Sequence, residues 1–409
     1  TVQLTAEESR SIVNSMVSDA DRSATKTVRS ALKKYGIPEG TGQVRDPDLL
    51  LRLLLHILTR KQFLKGSRSN YQLCDIHRDA MPFIRRNEPI DVVLFGFPVK
   101  QCLNRLKAFG PLPDLAELGG LVRLRELQRA VREVYPPGLR FNILSDGRHF
   151  RSRPRGITTA YRKKVQEYMD LAGITECTSI EEIDAVAARR LGPGVPAERA
   201  RRIARYRKRL NRALQRFDIT DNPLRTLDEV HEFTAELTEF QPHVIGLFRE
   251  MLMSLVYSVP VAVPPGIDRI TWSTAVYADL YNLTDQTVSP EVRQARTAVL
   301  RRAWHTVIRY LATLQVDEEF GYEKMFPNRI RLTVTASRKG CLGFTYLGGS
   351  GLLPWQGTGA IDSRGHVAVD FAISMLDQGF VPVYSPLLGP RQPWMMVPAE
   401  HTRLPGTEV

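Results

Sequence analysis

The chain has little with which to build a disulfide framework or a zinc site. Its four cysteines, Cys74, Cys102, Cys177 and Cys341, lie far apart without a CxxC pair, which suits reduced thiols. The eight histidines are scattered, and the one close pair, Cys74 with His77, supplies too few ligands for four-coordinate zinc. Long apolar runs are also missing: the stretch 252–263 is interrupted by Ser, Tyr and Pro and falls short of the roughly 20 residues that span a bilayer. The first residues, TVQLTAEESR, lack the basic start and apolar middle of a secretory signal. A cytoplasmic protein with no membrane partner is expected. There is no internal repeat, no low-complexity tract and no linker able to separate two independent domains.

Familiar catalytic signatures are absent as well. The sequence contains no Walker A loop, no HExxH, no GxSxG and no GxGxxG after a strand; the glycines from Gly348 to Gly359 straddle Pro354 and Trp355 instead of opening a helix. Nucleotide cofactors are therefore disfavoured. Acidic residues are in deficit, 44 against 57 Lys and Arg, and the net charge of +13 favours anionic partners. Much of that excess is local. Between Arg199 and Arg216 lie nine basic residues and no acid, with Arg202, Arg205, Arg209, Arg212 and Arg216 on one helical face and Ile203, Tyr206, Leu210 and Phe217 on the other. Such a helix is either a phosphate or nucleic-acid contact surface, or a solvated face that pairs with acids of the same chain.

What is present is a chain of 409 residues, 43% hydrophobic, enough for a large core. Helical apolar spacing covers 6–35, and the run LLLRLLLHIL predicts a buried helix over 47–59. Residues 65–89 read as a polar connector with a short helical turn. The spacing then predicts a strand over 90–95, a helix over 112–134 ended by Pro136-Pro137-Gly138, and a strand over 139–144, one unit of the kind that builds parallel sheets. Residues 158–316 read almost entirely as helix, broken near 192–196 and 260–268. Strands return at 329–336, 342–347, 366–371 and 380–384.

Polar residues gather where those strands end. Lys100 follows the Phe97-Pro98 turn, trailed by Asn104 and Lys107. A lysine there can clamp an anion or act as an amine or base; it can equally be a surface residue. Asp114 and Glu117 sit three apart in a first helical turn, as caps do in any protein. Ser145 and Asp146 close the second strand, with His149 next as a possible acid or base or an ordinary loop histidine. Arg329 and Arg331 alternate with Ile330 and Leu332, so both guanidinium groups share one face, near Lys339 in sequence.

Taken together, GFPVK with Asn104 and Lys107, then GPLPDLAE, YPPG and SDGRHF, and later FPNRIRLTVT, Lys339-Gly340 and LLPWQG, resemble the pyoverdine/dityrosine biosynthesis family, the isocyanide (isonitrile) synthases. The resemblance covers roughly 50–168 and 325–384. It implies an enzyme that condenses the α-amine of a tyrosine- or tryptophan-type amino acid with ribulose 5-phosphate as co-substrate to give an isocyanide, or a related N-formyl product. It also implies no metal and no cofactor, a downstream oxygenase or modifying enzyme as partner, and no nucleic acid; a nucleic-acid-binding protein using 199–216 is the competing class. As site residues it points to Lys100, Asp114, Glu117, Asp146 and His149 for catalysis. Lys107, Ser145, Arg329, Arg331, Lys339, Trp355 and Gln356 would bind substrate. Where relatives commonly carry Ser-Ile-His-Pro this chain has Thr333-Val334-Thr335-Ala336, and for Pro-Trp-His it has Pro354-Trp355-Gln356. Both changes remove an imidazole. The expected fold is α/β, a Rossmann-like, mainly parallel sheet flanked by helices. An N-terminal helical cap (1–84) precedes the first half of the α/β body (85–157), a helical insertion (158–324) and the second half (325–409).

Overall fold

Caps and apolar stripes set the first elements of the computed structural model, which describes residues 2–40, 44–100, 102, 106–145, 155–320, 322–348 and 351–401. After a two-residue strand, β1 (Val2–Gln3), helix α1 (Ala6–Lys34) opens on a capping box: Thr5 Oγ1 accepts from the Glu8 amide and the Glu8 carboxylate accepts from the Thr5 amide. Helix α2 (Pro47–Leu58) starts at Asp46 with Pro in its first turn, and its leucines are buried nearly all round. Helix α3 (Leu73–Arg86) occupies the stretch expected to be a connector. Its buried stripe of Ile76, Ala80 and Phe83 is masked in the sequence by six Asp, His and Arg residues and by Pro82 within the helix.

The central strand β2 (Ile90–Phe95) is buried over all but its last residue. It pairs in parallel with β3 (Leu139–Ser145) from Ile90↔Leu139 to Phe95↔Leu144. Beyond β3 lies β4 (Thr178–Glu182), a strand inside the stretch read as helix. On the other side of β2 come β5 (Ile330–Thr333) and β6 (Leu342–Gly343). The sheet order is β4-β3-β2-β5-β6, parallel throughout. Helix α4 (Leu115–Val134) connects β2 to β3, and α5 (Arg155–Ala172) precedes β4. The chain grows outward from β2 through β4 and then returns to the opposite side of β2. The direction reverses between β2 and β5, and ligands of open α/β sheets bind at the carboxyl edge of such a reversal.

A second sheet of five strands was not expected. It contains β1, β7 (Thr358–Ile361), β8 (Val367–Asp370), β9 (Phe380–Tyr384) and β10 (Met395–Pro398) in the mixed order β1-β9-β10-β7-β8, with α14 (Ala372–Asp377) between β8 and β9. Helix α4 is buried on most of its surface against α1, α5, β7 and β8. Gly119 permits that closeness: a Cβ there would lie 2.9 Å from both Leu347 and Val367.

Both sheets belong to one compact unit, residues 1–101, 108–183 and 326–409; residues 102–107 and 184–325 form a second. The second unit is helical. After α6 (Ile183–Leu191) come α7 (Val195–Leu214), α8 (Pro223–Thr234), α9 (Pro242–Ile245), α10 (Phe248–Leu255), α11 (Arg269–Tyr277), α12 (Pro290–Phe320) and α13 (Tyr322–Met325). Helix α12 packs against α7, α9, α10 and α11. The basic helix expected over 199–216 is α7, and several of its cations are used internally. Arg199, 1% exposed, bonds to Asp184 and Asp317; Arg202 pairs with Glu198 and Glu319, and Arg209 with Glu239. Arg216 lies 3.9 Å from the centre of the Phe233 ring. None of the four cysteines is in a disulfide, and among the described residues no helix is long and apolar enough to cross a membrane.

Candidate active site

At the carboxyl end of β2 the chain turns through an uncommon backbone conformation. Phe97 has φ of +50°, a region that bulky residues avoid at a cost of about 1–3 kcal/mol. Packing holds it there: its ring meets Trp355 at 5.3 Å and Tyr346 edge-on at 5.6 Å. Trp355 and Tyr346 touch each other at 5.6 Å, and burial raises the Tyr346 hydroxyl well above its ordinary range. Ser145, the last residue of β3, donates to the Phe97 carbonyl at 3.4 Å. The ends of β2 and β3 and the 354–356 turn therefore meet at one place.

The turn leads to Lys100, whose side chain is fully buried. Its Nζ donates to Asp114 Oδ1 at 2.9 Å, to Glu117 Oε2 at 2.7 Å and to the Pro354 carbonyl at 2.9 Å. An ammonium has three N–H donors, so these partners use all of them. Asp114 is the N-cap of α4, and its Oδ1 also accepts from Ala116 N–H at 2.9 Å and from Gly359 N–H at 3.1 Å. Gly359 is required by this approach, since a Cβ on it would lie 2.4 Å from the Ala116 nitrogen. Glu117 completes the capping box through Asp114 N–H at 3.0 Å. Its other oxygen, Oε1, accepts from the Tyr161 hydroxyl of α5 at 3.1 Å. Asp114 and Glu117 are thus helix caps, as their spacing indicated, and also the anionic partners of a buried lysine.

Burial and charge act against each other in this cluster. Burial lowers Lys100, but Asp114 and Glu117 outweigh it and hold the ammonium above its ordinary range. Glu117 moves the other way. Burial, with Asp114 adding to it and Lys100 opposing, pushes its carboxyl up to about 8. A proton on Glu117 leaves one carboxylate charge facing one ammonium charge, the arrangement a dry site tolerates best. A glutamic acid titrating near neutrality is suited to giving and taking protons.

Comparison with known proteins converges on the family whose motifs this cluster contains. Residues 81–232, which include Lys100, Asp114, Glu117 and Tyr161, match the family described as pyoverdine/dityrosine biosynthesis protein. Over that segment the chain is similar to the pyoverdine/dityrosine biosynthesis proteins. The L-tryptophan isonitrile synthase AmbI1 of Fischerella ambigua is 43% identical over 68 residues, 17% of this chain and 21% of that protein. An L-tyrosine isonitrile synthase of Pseudomonas aeruginosa is 28% identical over 165 residues, 38% of this chain and 49% of that protein. The chain thus spans about a fifth to a half of the length of these curated relatives. The crystal structure of the PvcA protein from Pseudomonas aeruginosa superposes over 85% of this chain and 99% of that one, with a TM-score of 0.56 and 19% identity, which shows a shared fold.

The remaining residues singled out by the pyoverdine/dityrosine resemblance are dispersed. Asp146 and His149, like Asn104, lie outside the described residues. Lys107 belongs to the helical unit, where its buried Nζ donates to the Ser254 carbonyl at 2.7 Å and burial lowers its amine to about 7. Arg329, 5% exposed, precedes β5, and half-buried Arg331 lies within it, paired in register with Val93 of β2 across the switch point. Lys339 is exposed. Trp355 belongs to the aromatic cluster, whereas Gln356 folds onto its own turn and accepts from Leu353 N–H at 3.0 Å. Thr335 and His366 are exposed. The Tyr161 hydroxyl, the Pro354 carbonyl and Gly359 are not among the residues that the sequence singles out as a site. Tyr161 follows Lys100 by 61 positions and the other two follow it by more than 250, so no local pattern joins them.

Proposed function

We propose that this protein is an isocyanide synthase-like enzyme. It joins the α-amine of an aromatic amino acid to a carbon of ribulose 5-phosphate and releases an isocyanide or a related N-one-carbon product. The observation that carries the reading is the meeting of GFPVK, PDLAE and LLPWQG in one buried cluster at the switch-point edge of the parallel sheet, the first two of them within the segment that matches the pyoverdine/dityrosine biosynthesis family. That chemistry begins with an amine adding to a ketone and losing water, and it continues through proton transfers, carbon–carbon cleavage and loss of phosphate. It needs a group that exchanges protons near neutral pH, and Glu117 meets that need. Lys100, with no donor left for a ligand, fixes the Asp114 and Glu117 carboxylates. Anion recognition then falls to Arg329 and Arg331 on the far side of β2. No metal or nucleotide enters the reading.

Thr335 and Gln356, standing where relatives commonly have histidines, favour an N-formyl product as the second outcome, because a chain with fewer proton carriers can stop short of the dehydrated isocyanide. The test is to incubate the protein with ribulose 5-phosphate and a panel of amino acids, assay phosphate release and search for isocyanide and formamide masses. Product from tyrosine or tryptophan supports the reading; absence of turnover across the panel overturns it.

A further inference from the structure

We propose that Tyr161 is a positioning residue that fixes the Glu117 proton on Oε1. The inference rests on Glu117 being the proton carrier of the proposed reaction. Its basis is the count of donors at each carboxyl oxygen. Oε2 already accepts from Lys100 at 2.7 Å and from Asp114 N–H at 3.0 Å, so a proton placed there would displace one of two buried donors. Oε1 faces the Tyr161 hydroxyl at 3.1 Å. A hydroxyl both donates and accepts, so the bond survives either protonation state: Tyr161 donates to the ionised carboxylate and accepts from the carboxylic acid. Neither Lys100 nor the Asp114 amide can make that exchange, because both are donors only.

The surrounding charges agree with this assignment. Lys100 reaches Glu117 from the turn after β2 and Asp114 from the helix cap; Tyr161 and Tyr168 face the same helix end from α5. Tyr168, two turns along α5, donates to the Pro113 carbonyl at 3.2 Å, which secures the face of α5 that presents Tyr161. The Tyr161 side chain is buried, which shields its bond to Glu117 from competing water.

Infrared difference spectroscopy against pH tests this without requiring turnover. The native protein should show a protonated carboxyl band that disappears as pH rises past 8 and is missing in E117Q. In Y161F the band should shift in frequency and titrate at higher pH, since the ionised carboxylate has lost a donor. With substrates, Y161F should lower kcat about tenfold, less than the roughly 10²- to 10⁴-fold expected for the acid–base group itself, with KM within about twofold and the pH midpoint moved upward. An unshifted band in Y161F, or no Glu117-dependent band, overturns the proposal. Should Y161F not fold, native protein carrying ¹³C at the tyrosine hydroxyl carbon serves instead. One tyrosine signal should move between pH 6 and 9 and stay fixed in E117Q; no such signal overturns the pairing. A shifted band in a protein that turns over no substrate would sustain the Tyr161–Glu117 pairing while removing the proposed reaction.

Discussion

Lys100 shows how a residue ambiguous in sequence gains a definite role from burial. A lysine after a turn reads as a surface residue or an anion clamp, and only the approach of the Pro354 carbonyl, 254 positions away, reveals an interior ammonium with every donor engaged. Asp114 and Glu117 were legible as a cap because capping is local; their second role was not, because it depends on what covers the helix end. Removing the ammonium in K100M should destabilise the protein by about 3–5 kcal/mol, measured by urea unfolding, since two carboxyl groups are left buried without their counter-ion. K100R should not restore it, because a planar fork cannot serve three acceptors arranged around a point charge. The pH dependence has a defined sign. Glu117 is raised in the folded state to about 8 from an ordinary value near 4.5, so the native state binds the extra proton and stability falls as pH rises through that window. Unfolding free energies from pH 5 to 8 should decline more steeply in the native protein than in E117Q, by up to about 1.4 kcal/mol per pH unit. Lys107, lowered to about 7, acts oppositely at higher pH: its contribution grows from about 7 towards its ordinary value of 10.5, and K107M should remove that rise.

Among the elements, legibility followed length and periodicity. Helices α1, α2 and α4 and strands β2 and β3 were readable within a few residues, because each has a sustained apolar period and a punctuated end. Helix α3 was obscured by Pro82 and its charges, and β4 by helical neighbours on both sides. Strands β7 and β10 have four residues each, too few for alternation to register, and they are strands because partners from distant positions pair with them. Yet β7 supplies Gly359 to the helix cap. G359A should press its methyl group into the first turn of α4 and weaken the Asp114 bond, costing about 1–3 kcal/mol in urea unfolding. It should also lower turnover, because the Glu117 capping geometry moves with the helix end. An unchanged midpoint for G359A would contradict the packing described for β7 on α4.

For the molecule as a whole, two units with separate interiors each rest on a buried charge cluster. In the sheet-bearing unit it is Lys100 with Asp114 and Glu117; in the helical unit it is Arg199 with Asp184 and Asp317. Burial raises the Asp317 carboxyl to about 6 against the pull of Arg199. R199M should therefore destabilise by about 3–5 kcal/mol, whereas R205Q and R212Q on the exposed face of the same helix should stay within about 0.5 kcal/mol of native; thermal unfolding of the three variants distinguishes the two faces. The charge excess of 199–216 was legible in sequence, but not its division between interior pairs and solvent. The most direct test of the proposed chemistry is turnover itself. Native protein and E117Q are each incubated with ribulose 5-phosphate and tyrosine or tryptophan, and phosphate and small-molecule products are followed by mass spectrometry. Phosphate release with an isocyanide or formamide product from the native protein, reduced at least a hundredfold in E117Q, is the predicted result; equal turnover by E117Q, or none by the native protein, would contradict it.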